Sequence, residues 1–347
     1  MARHAVIVER TQTWGVVRYD TLNHSFSCSE KKSRSAEPYA SRPVVLNIVI
    51  SRRCNMNCEY CVARDFTGIE KEDLVLSTEM IEWIKESTFM LLVLTGGEPL
   101  MSPANVTTMR LVDSINDQGI MIDTNGTILP DREVLSTLKK KRVMLRVSMD
   151  SANPNEEIKR RCVRKGRELD STSAYYTKLT NIKHFLSAGI NTAVQTVVWK
   201  NNEDSLNKMI DWLYLNGIKR WYLQRLIPSN RFNPIKALKP EKYYPLVTKI
   251  ADRARSAGIE CIPKMDLRHN SVFLLTADGA LYTQGEAPGQ KVRLGTIREN
   301  IEYFDYVSAA DHAWRYYLAE RPKEESDQSR SKVTHCRVKL KLRSQEE

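Results

Sequence analysis

Between residues 44 and 226 the chain alternates short apolar runs with longer amphipathic stretches, and this alternation carries the fold prediction. Apolar, β-branched runs at 44–50, 90–94, 120–123, 143–148, 191–198 and 221–226 have the length of buried strands. Between them, 77–87, 105–118, 131–139, 175–188 and 204–216 read as helices. The first has Ser77 placed to cap it, with Met80, Ile81 and Ile84 on one face. Strand–helix units in series imply parallel strands joined by helical crossovers. Six strands predict an α/β fold, a partial (β/α)6 TIM-type barrel, with functional residues at the strand C-termini.

The flanks have a different texture. Apolar runs at 5–8 and 14–19, followed by a turn-like 20–23, predict a small N-terminal β-hairpin, and the Ser- and Pro-containing stretch 29–43 reads as a linker. After about residue 228 the rhythm gives way to a Pro-containing helix at 240–257. A hairpin follows with Ala277, Asp278, Gly279 and Ala280 at its turn, predicting a C-terminal α+β extension with a loose tail at 323–332. The expected division is 1–42, 43–230 and 231–347.

Composition narrows the class. With 347 residues, 41% hydrophobic and 27% charged, the chain is neither a mini-protein nor wholly disordered. No apolar run approaches a membrane span, and Met1 to Arg10 mixes charges with apolar residues. No membrane anchor or signal peptide is expected, and a cytoplasmic location is. The net charge of +11 favours anionic partners. The seven cysteines are an odd number with three inside one eight-residue stretch, which fits a reducing compartment better than a disulfide framework.

That stretch is Cys54-Asn55-Met56-Asn57-Cys58-Glu59-Tyr60-Cys61, directly after the first strand of the series. A structural zinc would need a fourth ligand from Cys28, Cys162, Cys261, Cys336 or a histidine, and none has a short paired spacing. A [4Fe–4S] cluster held by three cysteines keeps one iron open to a substrate or cofactor.

The Cys54-x3-Cys58-x2-Cys61 pattern, with Tyr60 before the last cysteine, resembles the radical S-adenosylmethionine (SAM) superfamily. The resemblance implies that the amino and carboxylate groups of SAM chelate the open iron. Reductive cleavage, fed by an electron donor such as flavodoxin or ferredoxin, then releases methionine and a 5′-deoxyadenosyl radical. It places Tyr60 beside the adenine, although a ring packing the loop reads the same way. Thr95-Gly96-Gly97-Glu98-Pro99 resembles the family's Gly-Gly-Glu-Pro motif, whose backbone receives the methionine ammonium, since glycine lets a ligand approach closely. Thr124 and Asn125 after the third strand, and Ser148 and Asp150 after the fourth, resemble SAM contacts; turn chemistry and capping are the alternative. The family also places an arginine for the SAM carboxylate in the basic run 159–167. Spacing favours Arg160, and the Arg-x-Gly form favours Arg164. On the fifth and sixth strands, Thr196, with Gln195, Tyr222, Gln224 and Arg225, faces either adenosine and substrate or internal partners, as does Asn47 on the first.

The segment 271–301 resembles the hairpin-and-return of SPASM and twitch domains, which usually hold auxiliary clusters. The cysteine expected after the Asp-Gly strand is replaced by Tyr282-Thr283-Gln284-Gly285. A single cluster and redox-neutral chemistry follow as expectations. The first reading is peptide modification such as epimerisation, with Cys261 as hydrogen donor or as a small buried hydrophobe, and with a separate peptide-recognition protein as a partner. The second is rearrangement, dehydration or decarboxylation of a small anionic nucleotide, nucleoside or sugar. The third is an iron–sulfur binding protein associated with RNA that produces no 5′-deoxyadenosine.

Overall fold

The computed structural model describes residues 7–12, 15–30, 44–61, 74, 76–87, 89–163, 170–226, 237–263, 272–277, 279–283 and 293–297. The linker from residue 31 on, Asp278, Arg164, Gly285, Cys336 and the tail at 323–332 lie outside them, while Ser29 and Glu30, read as linker, belong to a strand.

The predicted N-terminal hairpin carries a third strand. β1 (Ile7–Gln12), β2 (Gly15–Asp20) and β3 (Ser25–Glu30) form an antiparallel meander. The β2–β3 turn is tied by Asp20, whose carboxylate accepts the Leu22 and Asn23 N–H groups at 2.8 and 3.0 Å.

The repeating units follow in chain order. β4 (Val45–Ser51), α1 (Thr78–Glu86), β5 (Leu91–Gly96), α2 (Ala104–Ser114), β6 (Gly119–Thr124), α3 (Arg132–Lys140) and β7 (Met144–Ser148) come first. After them run α4 (Pro154–Arg160), α5 (Ser171–Ser187), β8 (Asn191–Val198), α6 (Glu203–Leu215) and β9 (Arg220–Arg225). Strands β4 to β9 pair parallel, each with the next. The sequence pattern holds at α1, where Ser77 caps the Met80 N–H at 3.2 Å and Met80, Ile81 and Ile84 are buried.

The strands beyond residue 231 join this sheet at both edges. After α7 (Pro240–Ser256), β10 (Glu260–Pro263) pairs parallel with β9. At the other edge β11 (Val272–Leu275) pairs parallel with β4, and β12 (Ala280–Thr283) and β13 (Arg293–Thr296) add antiparallel. The result is a ten-stranded, mostly parallel α/β sheet with the order β10-β9-β8-β7-β6-β5-β4-β11-β12-β13.

Strand alternation divides the apolar residues between two faces. Ile48, Leu94, Ile122, Leu145, Val194 and Leu223 pack against the helices as the main core, each large side chain stabilising the fold by ~1.5–3 kcal/mol. The inner, opposite face holds Val45, Leu91, Met121, Met144 and Ala193, and at this end it packs on Val17 and Tyr19 of the meander. The Tyr19 hydroxyl shares a 2.7 Å hydrogen bond with His24 Nδ1, and His24 Nε2 lies 2.8 Å from the Arg142 carbonyl. Burial pushes the His24 pKa down to about 4, so the neutral ring serves this contact. Gly119 is required here, because a Cβ would stand 2.2 Å from the Tyr19 hydroxyl oxygen. The meander thus covers the strand N-termini and leaves the opposite rim for chemistry. Among the described residues no helix is long and apolar enough to cross a membrane.

Candidate functional site

The cysteine loop leaves β4 at the C-terminal rim and is strapped to the residues ending α4. The Asn57 N–H donates to the Cys162 carbonyl at 2.6 Å and the Glu59 N–H to the Arg160 carbonyl at 2.9 Å, with a bridge between Met56 and Val163. Met56 and Tyr60 are buried and anchor the loop, whereas Cys54, Cys58 and Cys61 are partly exposed and outside any disulfide.

The glycine turn after β5 holds the start of this loop. Gly97 N–H donates to the Ser51 carbonyl at 2.6 Å and Glu98 N–H to the Arg53 carbonyl at 2.8 Å. A Cβ on Gly97 would lie 1.9 Å from the Arg53 oxygen, and one on Gly96, whose φ is +121°, 2.3 Å from the Ser51 oxygen. The close approach that these glycines permit is therefore to the cysteine loop itself, a partner not anticipated from the motif.

Glu98 is fully buried and gathers the next strand end. Its carboxylate accepts from the Thr124 hydroxyl at 2.8 Å, the Asn125 N–H at 2.7 Å and the Leu100 N–H at 3.2 Å. Burial pushes its pKa up to about 7 despite those donors. Asn125 in turn donates its amide to Asn55 at 2.8 Å and toward the Cys54 sulfur at 3.7 Å. The Met56 N–H also points at that sulfur, at 3.4 Å.

On the far side of the loop, Asp150 is fully buried and accepts from the Tyr60 hydroxyl, from Arg161 Nε at 2.8 Å and from the Val197 N–H at 2.9 Å. Beneath it Glu157, also buried, accepts the Asp150 N–H at 2.7 Å and pairs with Lys178. Two buried acids thus face two buried bases, the arrangement in which buried charge is tolerated.

Several candidates from the sequence come together here: Cys54, Cys58, Cys61, Tyr60, Gly96, Gly97, Glu98, Thr124, Asn125 and Asp150 surround one loop, with Ser148 at the adjoining end of β7. Others do not. Thr196 spends its hydroxyl proton on the Met149 carbonyl at 2.6 Å and accepts the Trp221 indole N–H at 2.8 Å, which makes it an internal tie. Arg160 meets the loop through its carbonyl, while its guanidinium lies 3.7 Å over the Trp199 ring, which packs beside Tyr60. It is Arg161, one residue on, that enters the site. Cys261 sits on β10 level with Trp221, near the start of β9, and packs into the helix-side core. That register places it near the strand start on the helix side, half-buried, a position that favours the small-hydrophobe reading over the hydrogen donor; burial raises its thiol to about 12.

Arg161, Glu157, Lys178 and Asn55 escaped sequence reasoning. Glu157 and Arg161 lie four apart, a spacing legible as one helix face, but α4 is seven residues without an apolar stripe and was not anticipated. Its Asn153 cap and Pro154 were the available signal.

The surroundings of the three thiols suit a cluster. Burial raises Cys54 to about 12 and Cys58 to about 11, and coordinated metal would remove those protons outright. The N–H donors already directed at the Cys54 and Cys58 sulfurs suit thiolates.

Comparison with known proteins agrees. Residues 48–213 match the protein family described as Radical SAM superfamily. A GTP 3′,8-cyclase of Campylobacter curvus is 24% identical over 210 residues, covering 59% of this chain and 62% of the relative. One of Aquifex aeolicus is 25% identical over 281 residues, covering 70% and 82%. The chain spans only 52–62% of the length of the first such relatives. The fold also matches SuiB of Streptococcus suis bound to S-adenosylmethionine, with a TM-score of 0.68, 12% identity, and 92% and 91% of the two chains covered. A cysteine loop at the rim of a parallel α/β sheet, in a stretch that matches this family, makes residues 48–213 a radical SAM domain.

Proposed function

We propose that this chain is an enzyme in which Cys54, Cys58 and Cys61 hold one [4Fe–4S] cluster and the surrounding strand ends bind SAM. The observation that carries this reading is the enclosure of the three-cysteine loop between the Gly97–Glu98 turn and the Asp150–Arg161 pair. Together the bound cluster and SAM supply a 5′-deoxyadenosyl radical able to abstract hydrogen from a substrate. The chain's own residues orient and shield. Glu98 fixes Thr124 and Asn125 at the end of β6, and Asp150 fixes Tyr60 over the loop. Ser148 stands partly exposed at the end of β7, where small polar groups suit a ribose or a carboxylate. In place of the Arg160 or Arg164 to which the resemblance pointed, Arg161 is proposed as the arginine for the SAM carboxylate, on the ground that its guanidinium pairs with Asp150 beside the loop.

For the substrate, a small anionic nucleotide is favoured. The curated relatives are named for a reaction of GTP, and the +11 balance suits a phosphorylated ligand. On the inner face, Arg146 is held by Asp123 at 2.7 and 2.8 Å with Tyr222 beneath it, and Gln224 donates to Gln195 at 3.0 Å. This gives a polar band between the apolar floor and the rim. Peptide modification is the second reading; SuiB has been solved bound to its precursor peptide SuiA, and the likeness there is one of fold. Anaerobic protein with reconstituted iron, SAM and dithionite should yield 5′-deoxyadenosine. No 5′-deoxyadenosine from protein with a full cluster would leave the iron–sulfur binding protein instead. Faster turnover with purine nucleotides than with peptides would support the first substrate class, and the reverse would replace it with the second.

A further inference from the structure

Resting on the cluster assignment above, we propose that Arg161 is a positioning residue for the metal centre, its buried guanidinium donating to the Cys58 sulfur and raising the reduction potential of the cluster. The guanidinium is planar with two usable edges. Its Nε and one terminal nitrogen are directed at Asp150, at 2.8 and 3.4 Å, and the other terminal nitrogen lies 3.9 Å from Cys58 Sγ. The fork is therefore held from behind by a carboxylate and aimed at the sulfur in front.

The surroundings make that aim rigid. Arg161 is 8% exposed and Asp150 is fully buried. Glu157 lies 3.8 Å from Arg161 and is itself paired with Lys178, and the Tyr60 ring stands 5.4 Å from the guanidinium carbon. The Cys54 sulfur, in contrast, meets two neutral donors among the described residues, the Met56 N–H and the Asn125 amide. Cys58 thus faces the charged donor of this loop. One-electron reduction adds negative charge to a cluster, and a cation fixed against one of its sulfurs in a poorly solvated site favours the reduced form. Asp150 contributes through Arg161, by fixing which edge of the guanidinium points at the sulfur.

The test is a redox titration of the reconstituted full chain, followed by electron paramagnetic resonance without SAM, so that a role in binding the SAM carboxylate leaves the readout unmoved. Arg161→Gln should keep about four irons per chain while its reduction becomes roughly tenfold less favourable, a shift of ~59 mV to more negative potential. Arg161→Lys, which keeps the charge, should recover most of it. An Arg161→Gln potential equal to wild type at full iron content overturns the proposal, as does a lysine variant shifted as far as the glutamine one. Should Arg161→Gln shed its iron, Arg161→His carries the test. Relative to wild type its potential should rise at acidic pH, where the imidazole is charged, and a difference independent of pH overturns the proposal. Wild-type protein that takes up no cluster would defeat the underlying assignment, a result distinct from any of these.

Discussion

The Tyr60 hydroxyl donates to the Asp150 carboxylate across 90 positions of sequence, joining the cysteine loop to the end of β7. Because Arg161 and the Val197 N–H share that carboxylate, one side chain ties together the loop, the end of α4 and β8. Replacing Asp150 with Ala takes from buried Arg161 its hydrogen-bonded carboxylate and leaves it the more distant Glu157, at 3.8 Å and already paired with Lys178. A loss of ~3–5 kcal/mol is expected in urea unfolding. Tyr60→Phe removes a single donor and should cost ~1–2 kcal/mol. Equal losses for the two variants would show that the arginine contact contributes little.

Gly97→Val should reduce iron binding as well as SAM affinity. The new side chain collides with the Arg53 carbonyl, one residue before the first cysteine. Iron content after reconstitution checks this: a variant with a full cluster and only weakened SAM binding would mean that the turn serves the ligand without positioning the loop.

Glu98 makes stability fall with rising pH over a defined window. Its pKa is about 7 in the folded chain against an ordinary 4.5, so the folded state holds the proton more tightly. The contribution is full below pH 4.5 and is lost as pH rises toward 7. The stability advantage of wild type over Glu98→Gln should therefore be larger at pH 5 than at pH 7.5 in parallel urea titrations. A constant difference would mean that Glu98 is already ionised throughout.

Single alanine variants of Cys54, Cys58 and Cys61 should each lose cluster absorbance and 5′-deoxyadenosine formation together. Cys261→Ala should retain about four irons per chain, because Cys261 lies on the helix side of β10. About eight irons, falling in the Cys261 variant, would reveal a second cluster and favour oxidative chemistry.

The repeating strands were legible because a buried parallel strand is a largely apolar run, as 44–50 is on both sides of Asn47. Cysteine spacing marked the loop for the same reason: ligands close in sequence need no tertiary information. β10 and β11 were missed as members of the main sheet, since four residues carry too little periodicity to reveal their neighbours. The sequence reading weighed Arg160 against Arg164 and passed over Arg161, because adjacent helical residues point about 100° apart and packing is what brings Arg161 to Asp150. The glycines read in the sequence as room for a ligand, whereas the close approach seen is to the cysteine loop, set by where β4 and β5 place their ends.

The meander under the strand N-termini bears on folding autonomy. The matched domain stretch begins at residue 48, yet the floor of its sheet is closed by Val17 and Tyr19, from outside that stretch. A fragment starting at residue 44 would present Val45, Leu91, Met121 and Met144 to water, together with a notch at Gly119 shaped for an absent tyrosine. Such a fragment should be prone to self-association, and adding residues 1–43 as a separate peptide should suppress it.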